Sequence, residues 1–490
     1  FEVTTREGVS GSLEANLGPD VGPLTLDLPE PARLSVAVSE RQGEDEVLSP
    51  ARLVLRPVGG GEERVHFVTR GALSVELPPG AWSWELSRGS EFTYEAGQVE
   101  LVGGEAGSIR AVLERVVPTP GFVSGEFHQH ATASLDSDVA VADRVLSNVA
   151  EGVDFAVSSD HDIVTDFGPV IEELGVRDLI ASLTGTEVSP VWGHFGAYPM
   201  TPSVERTGRG ALPLAYLRDD GSLGWWEATS EMFPKLRDEY GARLIQVNHG
   251  RDGGSAYFSS FGWDRAQPIE GLDEGFSLDF DSMEVLNGED CEQMQDWFAL
   301  LNQGKRVVGV GNSDTHSVGK PPGYPRNYIP WSGEVQGLTG DQIVDGVLGG
   351  DVVVSAIAYM EFEGSELRPG KLEPRGEYEL EVRVLTPPWA RVDRLAVIRN
   401  GVKVDELEIG AAQGEVVDFD GPVTLQADGE QDAWFILLAY SSTDERPSAV
   451  YPGRAVFAFS NPFYFDAGGD GLFTPPGAGP IDGAWLPMCR

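Results

Sequence analysis

The apolar pattern of the chain changes its period twice, and no other feature of the 490 residues restricts the fold as strongly. Between residues 122 and 355, short β-type runs alternate with stretches of helical periodicity. Phe122–Phe127 reads as a strand, and Val139, Ala142, Val145, Leu146 and Val149 then recur at helical spacing. Strand-like Val153–Ser158 and Leu179–Leu183 follow, then a helix over Trp226–Tyr240 and strands at Arg243–Val247 and Ser282–Leu286. A helix over Glu292–Asn302, a strand at Arg306–Val310, a helix over Asp341–Leu348 and a strand at Asp351–Ser355 complete the series. Strands and helices alternating in this way imply parallel βα units, in a barrel or an open sheet.

On either side the pattern is β alone. Ala32–Val38, Ala51–Pro57, Arg64–Thr69, Ala72–Leu77, Trp82–Leu86 and Ser108–Leu113 are separated by Gly, Pro and Asp clusters, which predicts an antiparallel sandwich. His66 falls within one of these runs and reads as an ordinary strand residue. Tyr378–Val384, Arg394–Arg399, Val423–Ala427, Ala433–Tyr440 and Ala455–Phe459 predict a second sandwich, followed by a Gly/Pro-rich tail. The expected domains are a β-sandwich over 1–118, an α/β domain over 119–358 entered through the Pro-rich linker 117–121, and a β-sandwich over 359–490.

Charge narrows the partners. Against 35 Lys and Arg stand 78 Asp and Glu, a net −43, so most of the surface repels nucleic-acid phosphates and anionic membranes. With 41% hydrophobic residues the chain is nonetheless expected to fold rather than stay disordered. No apolar run approaches the roughly 18–20 residues of a membrane span. The partner expected is a small molecule. The chain starts at Phe1 with no basic and apolar leader, which suggests a leader removed and export to the periplasm or beyond, with a cytoplasmic location left open. Cys291 and Cys489 are too few for a disulfide framework or a thiolate zinc site; they read as two separate thiols, with one bridge the alternative.

Six of the seven histidines, His128, His130, His161, His194, His249 and His316, fall in the α/β segment, each at or just past the end of a predicted strand. In parallel α/β domains these ends form the ligand-binding face, so residues distant in sequence converge there. His128 and His130, two residues apart, present both rings on one side. Asp136 follows, and further carboxylates accompany the other histidines: Asp160 and Asp162 beside His161, Glu187 ahead of His194, and Asp314 beside His316. A lone His-x-His pair or a lone Asp-His-Asp is as compatible with a loop satisfying its own backbone as with ligation. The joint pattern of imidazole and carboxylate without thiolate suits Zn²⁺, Mn²⁺ or Fe²⁺ at a catalytic site.

This ordered series resembles the PHP domain (polymerase and histidinol phosphatase), and more nearly the CehA/McbA-type metallohydrolases, in which such a domain is flanked by β-rich segments. The resemblance covers roughly residues 121–355. It implies a distorted seven-stranded βα barrel with two or three divalent ions. His128, His130, Glu187 and Asp314 would hold the first, Glu187, His194 and His249 the second, and Asp136, His161 and His316 the third, with Glu187 bridging the first pair. Other members carry His where this chain has Asp136, which makes the third site harder and weaker. The implied activity is hydrolysis of phosphoesters, mono- or diesters, by a metal-bridging hydroxide; aryl carbamates and carboxylic esters are the alternative at the same centre.

Asp160, Asp162, Asn248 and Asn312 are candidates for orienting imidazoles and water. Asp160, Arg251 and Arg326 make up the expected catalytic set beyond the ligands, the arginines as contacts for a substrate anion or else as salt-bridge partners. Tyr257, Phe258, Phe261 and Trp263 read as packing for a Gly-rich loop, with a substrate wall the alternative. Asp466 and Asp470, in a Gly-rich run, are candidates for a structural Ca²⁺, although the run lacks the ligand spacing of an EF-hand. In a reading of another class, the chain is a surface binding protein whose metals only stiffen its middle domain.

Overall fold

The computed structural model describes residues 2–4, 10–12, 28–218, 220–226, 228–251, 256–270, 272, 274–288, 290, 292–363, 366–412, 414–443, 450–481 and 483. Cys291 and Cys489, and with them the question of a bridge, lie outside these residues. Contacts divide the chain into two units: Phe1–Arg88 with Phe92–Arg115, and Gly89–Glu91 with Val116–Arg490.

In the first unit, strands Ala32–Gln42, Asp45–Leu48, Ala72–Leu77 and Ala106–Glu114 form one sheet, and Ala51–Pro57, Arg64–Val68, Gly80–Ser87 and Glu95–Leu101 another. Strict alternation explains the layering: Ala32, Leu34, Val36 and Val38 are buried, while Arg33, Ser35 and Ala37 face water. The inward set meets Leu53, Leu55, Trp82 and Leu86 of the other sheet in one core. One pairing departs from the antiparallel expectation, since Ala106–Glu114 runs parallel to Ala32–Gln42. Parallel neighbours need a long crossover, and here the intervening chain supplies it by building the second sheet.

The second unit holds the α/β segment. One of its sheets runs Ala181–Leu183, Phe155–Val157, Phe122–Glu126, Arg326–Pro330, Val353–Ala356. The other runs Thr186–Val188, His194–Tyr198, Leu244–Asn248, Ser282–Asn287, Val308–Asn312. Phe127, Phe155, Val157 and Leu183 from the first share a core with Tyr198, Leu244 and Val310 from the second, so the two sheets face each other. Among the described residues only isolated bridges join them: Gln129 to Thr315, His161 to Glu187 and Thr165 to Gly185. Continuous strand pairing that would close the expected barrel is not detected among the described residues; the two sheets share a core and meet through these bridges. His194–Tyr198 and Arg326–Pro330 run antiparallel to both of their neighbours, so the winding is mixed rather than purely parallel.

Helix Val141–Ala150 forms where the period predicted it, its Val145 and Val149 packing with Phe167, Ile171, Val176 and Ile180. Helices Thr229–Tyr240, Gln293–Asn302 and Gly340–Leu348 also match predicted segments. Thr339 caps the last of these through a reciprocal pair with Gln342.

The expected boundary at 358/359 does not separate two sheets. Val353–Ala356 pairs with Phe457–Ser460, and the same sheet continues through Ala433–Tyr440 and Arg394–Arg399 to Val402–Glu408. Ala433–Tyr440 is buried at every position, as befits a strand covered on both faces. Tyr359–Glu363, Gly376–Leu385 and Val417–Ala427 make the facing layer, with Phe362 against Phe463 and Tyr378 against Phe465 at ring separations of 5.3 and 4.9 Å. At the candidate calcium run, Asp466 accepts the amides of Gly469 and Gly471, and Asp470 accepts that of Leu472, contacts that close turns.

Candidate metal centre

All nine ligand-type residues singled out in the sequence meet at one rim of the facing sheets. Their ligand atoms fall into four overlapping groups: His130, Asp136, His161 and His316; His128, Glu187 and His249; His128, His130 and Asp314; and His161, Glu187 and His194. Most stand just past a strand's C-terminal end, as expected. Glu187 instead lies within strand Thr186–Val188, and His194 opens the antiparallel strand His194–Tyr198. Reversal of that strand brings its first residue to the rim where its neighbours end.

The distances set Glu187 at the middle. Its Oε1 lies 3.2 Å from Nε2 of His128, 3.2 Å from Nε2 of His249 and 3.4 Å from Nδ1 of His194. Its Oε2 lies 3.0 Å from Nδ1 of His161 and 3.6 Å from Nε2 of His130. Asp314 Oδ1 is 3.2 Å from Nε2 of both His128 and His130. Asp136 Oδ2 lies 3.1 Å from Nε2 of His161 and 3.0 Å from Nε2 of His316. The burial is graded: the side chains of His128, His130 and Glu187 are wholly buried, whereas Asp136 is 44% and His316 33% exposed.

The donor set fits divalent cations. Nε2 of His128 and His130, Nδ1 of His194, Oε2 of Glu187 and Oδ1 of Asp314 are buried and lack a hydrogen-bond partner, although they crowd together. Such orphaned atoms are costly unless something ligates them. Glu187, Asp314 and Glu284 also form no ion pair with Lys or Arg among the described residues. In the metal-free protein, burial opposes charge on His128, but Asp314, Glu187 and Glu284 outweigh it and raise the imidazole well above its ordinary range. Burial likewise pushes the Glu187 carboxyl up, and His128 overrides it to hold the group well below the usual carboxylate range. The cavity thus gathers carboxylate charge around an imidazole whose charged form it favours.

Backbone strain is concentrated here. Asp162, His249 and Asp314 have φ of 54°, 29° and 50°, a left-handed region that costs a side-chain-bearing residue roughly 1–3 kcal/mol. Each is held by another residue of the site: the amide of Asp162 by the Glu187 carbonyl, that of His249 by Glu284 Oε2, and that of Asp314 by the His128 carbonyl, at 2.9, 2.8 and 2.9 Å. Asp162 Oδ1 also accepts the Ser189 amide, and burial raises its carboxyl to about 6.

The other expected residues take supporting places. Asp160 Oδ1 accepts the amide of Ala131 at 2.7 Å, fixing the backbone beside His130; burial raises its pKa. Asn248 donates to Glu187 Oε1 at 2.9 Å, and Asn312 donates to Glu284 Oε1 at 2.9 Å. The two arginines have partners within the protein. Arg251 grips Asp296 through both Nε and Nη2, with contacts of 2.7–3.1 Å, and Arg326 is 1% exposed, its donors directed to the carbonyls of Gly323, Glu151 and Gly152. Tyr257, Phe258 and Trp263 are buried, with Tyr257 stacked on Phe276 at 4.7 Å, so that stretch is packing.

Sequence reasoning missed three buried charges. Glu284 accepts from His128 Nδ1 at 2.8 Å. Arg144 donates from Nε to the His130 carbonyl and from Nη2 to that of Thr315, at 2.9 and 3.2 Å, binding two ligand loops together. Glu126 accepts both the amide and the hydroxyl of Ser313, at 2.6 Å each. Glu284 was detectable as a charge enclosed by apolar Met283 and Val285 in a strand; the partners of Arg144 are distant in sequence.

No family model and no curated protein matches the chain. Among solved structures, a two-domain protein from Bacteroides vulgatus containing a predicted PHP-like metal-dependent phosphoesterase aligns over 70% of this chain and 96% of its own, at 15% identity and a TM-score of 0.35. GBS52, the minor pilin of Streptococcus agalactiae, aligns over 24% of this chain and 63% of its own at 12% identity and a TM-score of 0.16. The Bacillus anthracis TIE protein aligns over 22% and 20% at 15% identity and 0.15. At scores this low the likenesses decide neither fold nor chemistry, and the function is argued from the side chains.

Proposed function

We propose that the chain is a metal-dependent hydrolase acting on phosphoesters. The observation that carries this reading is the set of four overlapping ligand groups, two of them sharing Glu187, in which ligand atoms of His128, His130, His194, Glu187 and Asp314 are buried without hydrogen-bond partners. A structural site closes on about four ligands, while a hydrolytic one shares carboxylates between ions and keeps positions open. Bound divalent ions would supply Lewis acidity and neutralise developing negative charge.

The chain's own residues supply the frame. His128, His130, Glu187 and Asp314 would hold one ion, and His194 and His249 with Glu187 a second. Asp136, His161 and His316 would hold a third, with His130 beside them. Asn248 occupies one oxygen of Glu187 and leaves the other bare. Lys320, whose Nζ donates to the Asp314 carbonyl at 3.1 Å, brings a cation beside this ligand loop. One observation favours the second reading, hydrolysis of aryl carbamates or carboxylic esters: with Arg251 and Arg326 engaged elsewhere, no arginine of the expected set is left to grip a phosphate.

The test is reconstitution with Mn²⁺, Zn²⁺ or Fe²⁺, metal analysis, and assay on p-nitrophenyl phosphate, its bis-ester, a naphthyl carbamate and p-nitrophenyl acetate. Turnover of a phosphoester that disappears in a folded His128→Ala variant is the expected result. Turnover of the carbamate or acetate alone selects the second reading. Tightly held metal with no turnover of any of the four would make the chain a metal-stabilised binding protein.

A further inference from the structure

We infer that Glu284, which lies outside all four ligand groups, is a positioning residue that aims a ligand of each of two ions, so that these two sites weaken together when it is altered. The inference rests on the metal-binding part of the proposed function and is independent of which bond is hydrolysed.

Glu284 sits inside strand Ser282–Asn287 and is wholly buried. Its Oε1 accepts from His128 Nδ1 at 2.8 Å and from Asn312 Nδ2 at 2.9 Å. Its Oε2 accepts from the His249 amide at 2.8 Å and from Asn287 Nδ2 at 3.0 Å. Two donors per oxygen fill the lone-pair directions of a carboxylate, so little is left for a metal bond. The Asn312 amide is oriented independently, because its Oδ1 accepts the Phe127 amide at 3.0 Å and Asn327 Nδ2 at 3.1 Å.

Two consequences follow from this geometry. A carboxylate can accept from His128 Nδ1 only if that nitrogen carries hydrogen, which leaves the lone pair on Nε2, the atom facing Glu187 and Asp314. On its other side, Glu284 holds the amide of His249, whose φ of 29° needs such support and whose Nε2 faces Glu187. One side chain therefore sets a ring tautomer for the first ion and a strained backbone for the second.

Glu284→Gln places an NH₂ against two donors whichever way the amide turns. Facing His128, it drives hydrogen to Nε2 and removes the ligand lone pair; facing His249, it repels the amide. In either orientation the remaining neutral carbonyl oxygen holds the other donor more weakly than a carboxylate does. Metal-stripped wild type and variant are titrated with Zn²⁺ against a chromophoric chelator, and bound ions are counted by native mass spectrometry. The expected result is a fall of about 10–100-fold in affinity for two ions together. His316→Ala, the control, loses one ion only. A folded Glu284→Gln variant that keeps wild-type affinity, or loses a single ion, overturns the inference.

A second measurement needs no variant. In zinc-loaded wild type, ¹⁵N–¹H correlations of the histidine rings are expected to show His128 coordinated through Nε2 with hydrogen on Nδ1; coordination through Nδ1 overturns the inference even if Glu284→Gln does not fold. Loaded wild type that hydrolyses none of the four substrates removes the hydrolase reading and leaves this one standing.

Discussion

Arg326 touches three backbone carbonyls and almost no solvent, and Arg251 lies against a fully buried Asp296. Their substitution is therefore a matter of stability. Arg326→Ala strips donors from buried carbonyls and opens a cavity, an expected cost of about 2–5 kcal/mol read from the denaturant midpoint. Arg251→Ala leaves the Asp296 charge with Arg265, 3.4 Å away, as its remaining ion-pair partner, an expected cost of about 3 kcal/mol. Soluble variants should keep the wild-type KM; a raised KM at unchanged stability would restore either arginine as a substrate contact. Exposure makes a different statement about Asp136 and His316. A third ion held by these half-open side chains should be the first lost to EDTA, leaving the ions at the buried ligands, as counted by native mass spectrometry; simultaneous loss of all ions would count against graded sites.

At the scale of elements, the strand that delivers His128 and His130 depends on a close approach. A Cβ on Gly125 would overlap the Phe155 ring of the neighbouring strand, and that ring is edge-on to Phe127 at 5.4 Å. Gly125→Ala is expected to destabilise by about 1–3 kcal/mol and to weaken zinc affinity as well, because the strain sits next to the ligand pair. Thr339→Ala removes a helix cap instead, with an expected loss of about 1 kcal/mol and no change in zinc affinity. The strands that sequence reading found are those with clean alternation or unbroken apolar runs, such as Ala32–Gln42 and Ala433–Tyr440. Among those it missed, Thr186–Val188, His194–Tyr198 and Arg326–Pro330 in the α/β segment are short and carry the charged or imidazole residues that pattern reading assigns to loops.

For the whole molecule the dominant fact is a net charge of −43. Self-repulsion on this scale opposes the folded state and is screened by salt, since the Debye length falls from about 10 Å at 0.1 M to about 3 Å at 1 M. The melting temperature of the metal-free protein is expected to rise between 0.05 and about 0.5 M NaCl; a flat or falling trend would show that attractive ion pairs outweigh the excess charge. Divalent ions should stabilise well beyond their ionic strength, because they enter a cavity whose buried carboxylates have no Lys or Arg paired with them among the described residues.

Residue type and spacing by themselves singled out the histidines and carboxylates as candidate ligands and indicated a three-part β, α/β, β order, because metal ligation needs a few side-chain chemistries and apolar period reports secondary structure directly. What awaited the tertiary structure was every relation between distant segments. The arginines found their partners, Glu284 joined His128 to His249, two sheets of the α/β segment packed on one core, and one continuous sheet crossed the expected boundary at 358/359. These depend on which buried charge lies beside which donor and on strand direction, and neither leaves a periodic trace along the chain.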